Sequence, residues 1–362
     1  MRAGNLCHAA VALLTALTIQ CLGQQPAAAC TVESPPIGRT GSLVLHLSSD
    51  CTASEREQYR VSSKSITEAM VSGHRVELVG VVVTGDLSFD DLPVQTILVP
   101  KGLSAEQEAA LRRLNAGPVR LVHGPLILRD SVVQGSVRHR SVSGTLQFEG
   151  AVDFRGTVFE EAVDLSRSMF QGTLDLSKAR FTQTAYFIQG EFMQDVICKE
   201  TKFGPHTRFH RSVFRGAIDC TAALFDGMTE FIEVNFEQPV TMKQVRFGSG
   251  TGFSGSRFAR QATFVEAVFS RDAFFGFTVF EGVASFAGAR FLASVDFSDA
   301  KFNRADDLVK ASFDRPPLFT RTKRETDDYA RGPLQSVGGQ YVVTLFFLLL
   351  AALLVAYAIK LK

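Results

Sequence analysis

From Phe148 to Phe313 a phenylalanine stands at every eleventh position, at 148, 159, 170 and so on to 302 and 313, without a break. A second series falls six residues after each of these: Phe154, Leu165, Leu176, Phe187, Cys198, Phe209, Cys220, Phe231, Met242, Phe253, Phe264, Phe275, Phe286, Phe297 and Leu308. Of 31 Phe in the chain, 27 lie in this window and 25 sit on the two series, so a repeat architecture is the first constraint on the fold. An undecad can signal a right-handed coiled coil, but angle excludes a helix here. At about 100° per residue, steps of five and six set successive large residues roughly 140° and 240° apart, so they share no helix face. In an extended chain the residue two before each Phe points to the same side as the Phe. Those positions are small or aliphatic, as in Thr157, Ser168, Ala179, Gly190 and Thr201, or Val152, Val163, Leu174 and Ala185. Each short segment offers one large and one small inward residue and then turns. Stacked segments of this kind make a β-solenoid with Phe columns inside.

Units such as "AVDFRG", "AVDLSR", "TLDLSK", "AIDCTA" and "SVDFSDAKF" resemble the pentapeptide-repeat family in its Phe-rich form, with alternating five- and six-residue units. The resemblance covers about half the chain. It implies an all-β, right-handed, four-sided β-helix with about 22 residues per coil, where four strict five-residue units would take about 20. At a rung spacing of about 4.8 Å, seven to eight coils over 148–313 would span roughly 35 Å.

Charge is balanced, 38 Lys+Arg against 37 Asp+Glu, and the repeat window carries 18 basic and 21 acidic residues. Neither a polycation for nucleic acid nor a strongly acidic rod is encoded, and no nucleic-acid partner is expected. Residues 1–29, with one Arg, an apolar run and an Ala-x-Ala ending, read as a secretory signal peptide cut after Ala29. The same ending, before Cys30, is similar to a bacterial lipobox with Ala27 where Leu is usual. In an oxidising compartment a Cys30–Cys51 disulfide would tie down the mature N-terminus. Cys198 and Cys220, 22 apart on the inward series, read as stacked buried thiols standing in for Phe.

Residues 30–75 are expected to be an N-terminal segment with a capping helix, its capping boxes at Ser54–Glu57 and Ser65–Glu68 and its stop at Gly73. Residues 76–147 read as early, irregular coils with a helical insertion at 104–116, and 148–313 as the regular solenoid. Beyond it, 314–340 reads as a Pro-containing, charge-mixed linker. Tyr341–Ile359 is a 19-residue apolar stretch, about 28 Å as a helix, which suits one transmembrane span before the short basic tail 360–362. A cleaved signal would place the solenoid outside, whereas the linker's Arg and Lys pull the other way by the positive-inside rule. Gly338-Gly339 ahead of the span also resembles a C-terminal sorting signal.

No constellation in the chain speaks for catalysis, and no cofactor or metal is expected. His206 and His210 flank Phe209 in strand–turn context, so they read as separate solvated residues. Asp153, Asp164, Asp175, Asp219 and Asp296 each precede a second-series residue, where a carboxylate binds the turn backbone. Two surface features are candidate partner-binding sites: the outward column Arg180, Lys202, Arg246 and Arg290, and the off-register pair Phe274 and Phe277. These readings combine into a non-enzymatic, membrane-anchored, extracytoplasmic solenoid that binds or scaffolds a protein. The alternatives are the DNA-mimicking, topoisomerase-binding role that the family resemblance implies, and a polysaccharide-binding or polysaccharide-cleaving β-helix.

Overall fold

Alternation of one large inward residue with outward polar ones leaves each side of a coil only two residues of regular ladder, and that is the unit observed. A computed structural model of the chain describes residues 30–33, 42–95, 118–139 and 144–324. Strands such as Val158–Phe159 and Arg180–Phe181 pair in parallel, each residue opposite its counterpart one coil later. Among the described residues the strands assemble into four sheets of 11, 11, 9 and 11 strands. We call these faces A (containing Val152–Asp153), B (Val158–Phe159), C (Val163–Asp164) and D (Ser168–Phe170), in the order in which the chain visits them. The result is a four-sided parallel β-solenoid of about eleven coils.

The two Phe series form the core. On face B the rings of Phe203, Phe225 and Phe247 stack with centroids 4.6 and 5.2 Å apart, and on face D Phe192 and Phe214 stack at 4.4 Å. The second series supplies a further column, Phe209–Phe231–Phe253, at 4.9 and 5.1 Å. Offset stacking at this spacing follows from the rung repeat itself, which sets rings one strand apart. The small residue preceding each first-series Phe is often Ser or Thr, and its hydroxyl is buried. Except at Ser168, whose Oγ has no partner, each donates to a carbonyl of the previous coil: Thr201 to Leu176 O at 2.7 Å, Ser212 to Phe187 O at 2.7 Å and Thr278 to Phe253 O at 2.9 Å. Burying these hydroxyls therefore costs little.

Two corners of each regular coil between 156 and 299 are left-handed. Positive φ recurs two residues after the second-series position, at Arg167, Lys178, Gln189, Glu200, Arg211, Ala222, Glu233, Gln244, Glu266, Phe277 and Asp299 among others. Glycine fills the same place at 156, 255 and 288. Most of these corners are held by non-glycine residues in a region that disfavours a Cβ. At the five predicted positions the aspartates do bind the turn. Asp164 accepts from Ser166 N (3.0 Å), Asp175 from Ser177 N (2.9 Å), Asp219 from Thr221 N (3.0 Å), and Asp153 and Asp296 from Arg155 N and Ser298 N.

The solenoid extends further at both ends than the Phe period indicates. Leu43–Leu47 and Arg60–Ser62 already pair with Val76–Val79 and Val82–Thr84, so the segment assigned to 30–75 contributes strands as well as a cap. Val32–Glu33 closes face A by an antiparallel pair, and helix Ser63–Val71 sends Ile66, Ala69 and Met70 into the core. The caps sit two to three residues earlier than expected. Thr52, with extended φ/ψ, forms the capping box with Glu55, and Ser62 accepts from Ser65 N. In the early coils the step widens, pairing Val82 with Val132, which accommodates the inserted residues. The helix expected at 104–116 lies outside the described residues.

At the other end Phe319 stacks on Phe297 (5.4 Å), and Lys323–Arg324 pairs with Lys301–Phe302. The stretch read as a linker from 314 is thus coil through 324. There Arg324 takes the place of the next first-series Phe. The expected signal peptide, transmembrane span and basic tail lie outside the described residues. Among the described residues no helix is long and apolar enough to cross a membrane.

Candidate binding surfaces

Because the register is fixed, an outward position recurs once per coil as a column along the rod, and each candidate surface is such a column. On face B, Arg180, Lys202, Arg246 and Arg290 are all exposed and fall in one line with Leu224 and Val268 between them. Arg180 and Lys202 are direct ladder partners. Like charges one rung apart repel, so this pair is held together by the fold and not by its own contacts. Beside them the B–C corner opens into a shallow groove of about 610 Å³, lined by Arg180, Lys202, Thr182, Pro205, Asp226 and Met228. The groove exists because Gly204 and Gly227 follow the strands here. A Cβ at Gly227 would fall 1.8 Å from Pro205 O, so the corner cannot carry a side chain without moving the backbone.

Face C carries a more closely built cluster. Tyr186, Arg208 and Glu230 are in register on three successive coils. Arg208 Nε donates to Glu230 Oε2 at 2.6 Å, and its guanidinium lies 5.4 Å from the Tyr186 ring centroid. His206 and His210, expected to stand apart, converge on the same carboxylate oxygen, each Nε2 3.3 Å from Glu230 Oε2. The physical reason is the strand geometry. His206 and Arg208 share the outward side of His206–Arg208 while Thr207 points in, and the coil above delivers one acid between them. Burial pushes the Glu230 carboxyl up, but the hydrogen bond from Arg208, reinforced by Coulomb attraction from Arg208 and His210, outweighs it and holds the group below its ordinary value. Among the described residues no group of His, Cys, Asp and Glu is arranged to hold a metal. With Arg208 already on the carboxylate, the cluster is an ion-pair network and not a ligand set.

Phe274 and Phe277 both point outward, 46% and 66% exposed, Phe274 on face C and Phe277 at the left-handed C–D corner. Gly252 and Gly255 occupy the matching places one coil earlier, so the two rings overlook a shelf without side chains.

Cys30 and Cys51 are joined by a disulfide with Cα atoms 4.4 Å apart. Cys198 and Cys220 are also joined, across adjacent coils at the same Cα separation, which corrects the expectation of two free thiols. Parallel in-register stacking sets two cysteines of one inward column a rung apart, with Cα atoms at the short end of the range that a bridge spans.

A family model described as pentapeptide repeats (9 copies) matches residues 147–188. No curated protein matches the chain. The matched segment covers faces D, A, B and C of the first regular coils, and the register it sets runs on unbroken to Phe313. Over residues 147–188 the chain therefore carries pentapeptide repeats, and the described residues wind into a four-sided parallel β-solenoid.

Proposed function

We infer that this chain is a non-enzymatic binding or scaffold module, tethered to a membrane by Tyr341–Ile359 and displayed on the extracytoplasmic side. The observation that carries the reading is the ordered flank of face B. There a fixed basic column, Arg180, Lys202, Arg246 and Arg290, adjoins an open groove instead of a closed reaction cavity. Repeat rods act through such long preorganised faces, because every side chain on them is positioned by backbone on both sides. A protein partner with an acidic, extended surface suits this flank, with rim charges contributing mainly to association rate and selectivity. The tether and compartment are supported by the apolar stretch, by the leader-like N-terminus and by the Cys30–Cys51 bridge, which belongs in an oxidising compartment.

Fractionation of intact cells, combined with external protease, tests compartment and tether together. The expected result is a chain retained in membranes after alkaline extraction and degraded only by protease on the outer side. For the partner, a photo-crosslinking residue at Met228, beside the groove, is expected to give a discrete protein adduct. That adduct should be lost when Arg180, Lys202, Arg246 and Arg290 are changed to Ser. Recovery of the chain in the soluble cytosol, or an adduct indifferent to the four substitutions, would overturn the reading.

A further inference from the structure

Exposed large apolar side chains are distributed unevenly along the rod. Ten are found among the described residues, and six of them lie in the last coils: Phe274, Phe277, Val283, Leu292, Val309 and Leu318. From 144 to 273 Met228 stands alone in this class. The six surround the rod. Phe274 and Leu318 are on face C, Phe277 is at the C–D corner, Val283 leads into face A, Leu292 follows face B, and Val309, 88% exposed, lies between A and B. A partner protein docking on one flank would need them on one face; a girdle at one end suits a surface that the rod meets end-on.

The end layer has the same character. Phe313 and Phe319 are only partly buried, stacked by Phe291 at 5.1 Å and Phe297 at 5.4 Å; the Arg324 guanidinium lies 5.6 Å from the Phe319 ring centroid, and among the described residues no further ring stacks on either. The N-terminal end, in contrast, is closed by helix Ser63–Val71. Solenoid ends need covering. Charge is polarised too: residues 290–324 hold eight Lys and Arg (Arg290, Lys301, Arg304, Lys310, Arg315, Arg321, Lys323, Arg324) and five Asp, a net +3, in a repeat otherwise slightly acidic.

We propose that the C-terminal end of the solenoid seats in the interface of a lipid bilayer, with Val309, Leu318, Phe277 and Phe274 in the acyl–headgroup boundary and the basic rim against anionic headgroups. The proposal rests on the tethered reading above. The chain that leaves this end supplies the argument for the occupant, since only the segment 325–340 separates Arg324 from the apolar stretch at Tyr341. Sixteen residues reach at most about 53–58 Å, so this is the end held near the bilayer at high effective concentration, with the capped end roughly 50 Å farther along the rod. The girdle occupies about three coils, two rung spacings or roughly 10 Å, which matches the depth to which an interfacial apolar surface sinks.

The chain has no Trp, so single substitutions give unambiguous reporters. Full chain carrying Val309→Trp, Phe277→Trp or Met228→Trp is reconstituted into phosphatidylcholine vesicles containing a minority of phosphatidylglycerol. The first two are expected to emit to the blue of the third. They should be quenched several-fold more by bromine-bearing lipid and several-fold less by aqueous acrylamide. If the chain withstands alkaline washing but all three reporters respond alike to acrylamide, the end does not touch lipid, and this proposal falls while the tether stands. Reporters at 309 and 277 shielded from both quenchers would mean that protein covers the end, a second copy or the chain's own 325–340, which also overturns it. Loss of the chain from washed vesicles removes the tether and the proposal together.

Discussion

Replacing Phe225 by Ala tests the claim that stacked rings hold this rod together. Phe225 is fully buried, lies between Phe203 at 4.6 Å and Phe247 at 5.2 Å, and meets Phe231 edge-on at 6.1 Å. Removing a buried Phe costs about 3–5 kcal/mol in transfer and residual cavity. The two stacks account for about 0.5–1.5 kcal/mol each beyond area burial, which places this site at the upper end of that range. The coils above and below are pinned by ladder hydrogen bonds, Leu224 N to Thr201 O at 2.9 Å and Arg246 N to Ala223 O at 3.0 Å, so the cavity cannot collapse readily. For a cooperative unit of this size, about 4 kcal/mol lowers the melting temperature by roughly 8–16 °C. Phe274→Ala is the control, since its ring is half in solvent, and it should move stability by no more than about 0.5 kcal/mol. Urea unfolding by far-UV circular dichroism measures both. Hydrogen exchange at the amides of 203, 225 and 247 shows whether the damage spreads to neighbouring coils, as nearest-neighbour coupling requires. A cost below about 1 kcal/mol for Phe225→Ala, or one equal to that of Phe274→Ala, would refute the stacking argument.

Other outcomes follow from single features. Ala222 holds φ 59° at a corner, so Ala222→Gly should raise stability by about 0.5–1 kcal/mol in the same unfolding assay. Changing Cys30 and Cys51 to Ser opens a loop of 21-residue separation and should cost about 3 kcal/mol, read as a lowered urea midpoint without reductant. Glu230→Gln leaves Arg208 without its charged partner and should cost about 1 kcal/mol at neutral pH. Burial raises the carboxyls of Asp153, Asp219 and Glu230, but cationic and turn hydrogen bonds outweigh it and depress all three below their unfolded values. Their contribution is therefore complete above about pH 4.5 and is lost as pH falls through the lower folded values. Melting temperature against pH should show this acid branch, and Glu230→Gln should flatten it. Burial lowers the pKa of His139 ahead of every other influence, so the unfolded chain takes up its proton first. His139→Phe should accordingly remove a loss of stability that begins as pH drops below about 6.5.

The regular coils were legible because each inward position carries one bulky residue at constant spacing. The first coils were not, since Val76 pairs with Leu126, Val82 with Val132 and Leu87 with Val137 across a long insertion, and an interrupted aliphatic ladder has no period to read. The end was misplaced at 313 because the series continues with Phe319 and then Arg324, a charged residue at an inward register position. That Arg lays its guanidinium over the Phe319 ring, 5.6 Å from the centroid, and pairs with Asp306. The convergence of His206 and His210 on Glu230 needed columns instead of local spacing, and Tyr186, Arg208 and Glu230, one coil apart in turn, were the available clue. The left-handed corners left only three glycines in undecad register, 156, 255 and 288, as their trace.

Every strand in the regular coils finds its partner just one turn of the coil upstream, so an all-β molecule is built here almost wholly from short-range closures. A sheet protein ordinarily waits for distant segments to meet, which makes it slow and leaves bare edges at risk of misassociation. This chain instead carries a finished starting block, the helix-covered first coil, at the end that emerges first from a ribosome or a narrow pore. Each further turn can then zip onto an existing template as soon as its residues appear, so growth runs in one direction and only one rung is ever unprotected.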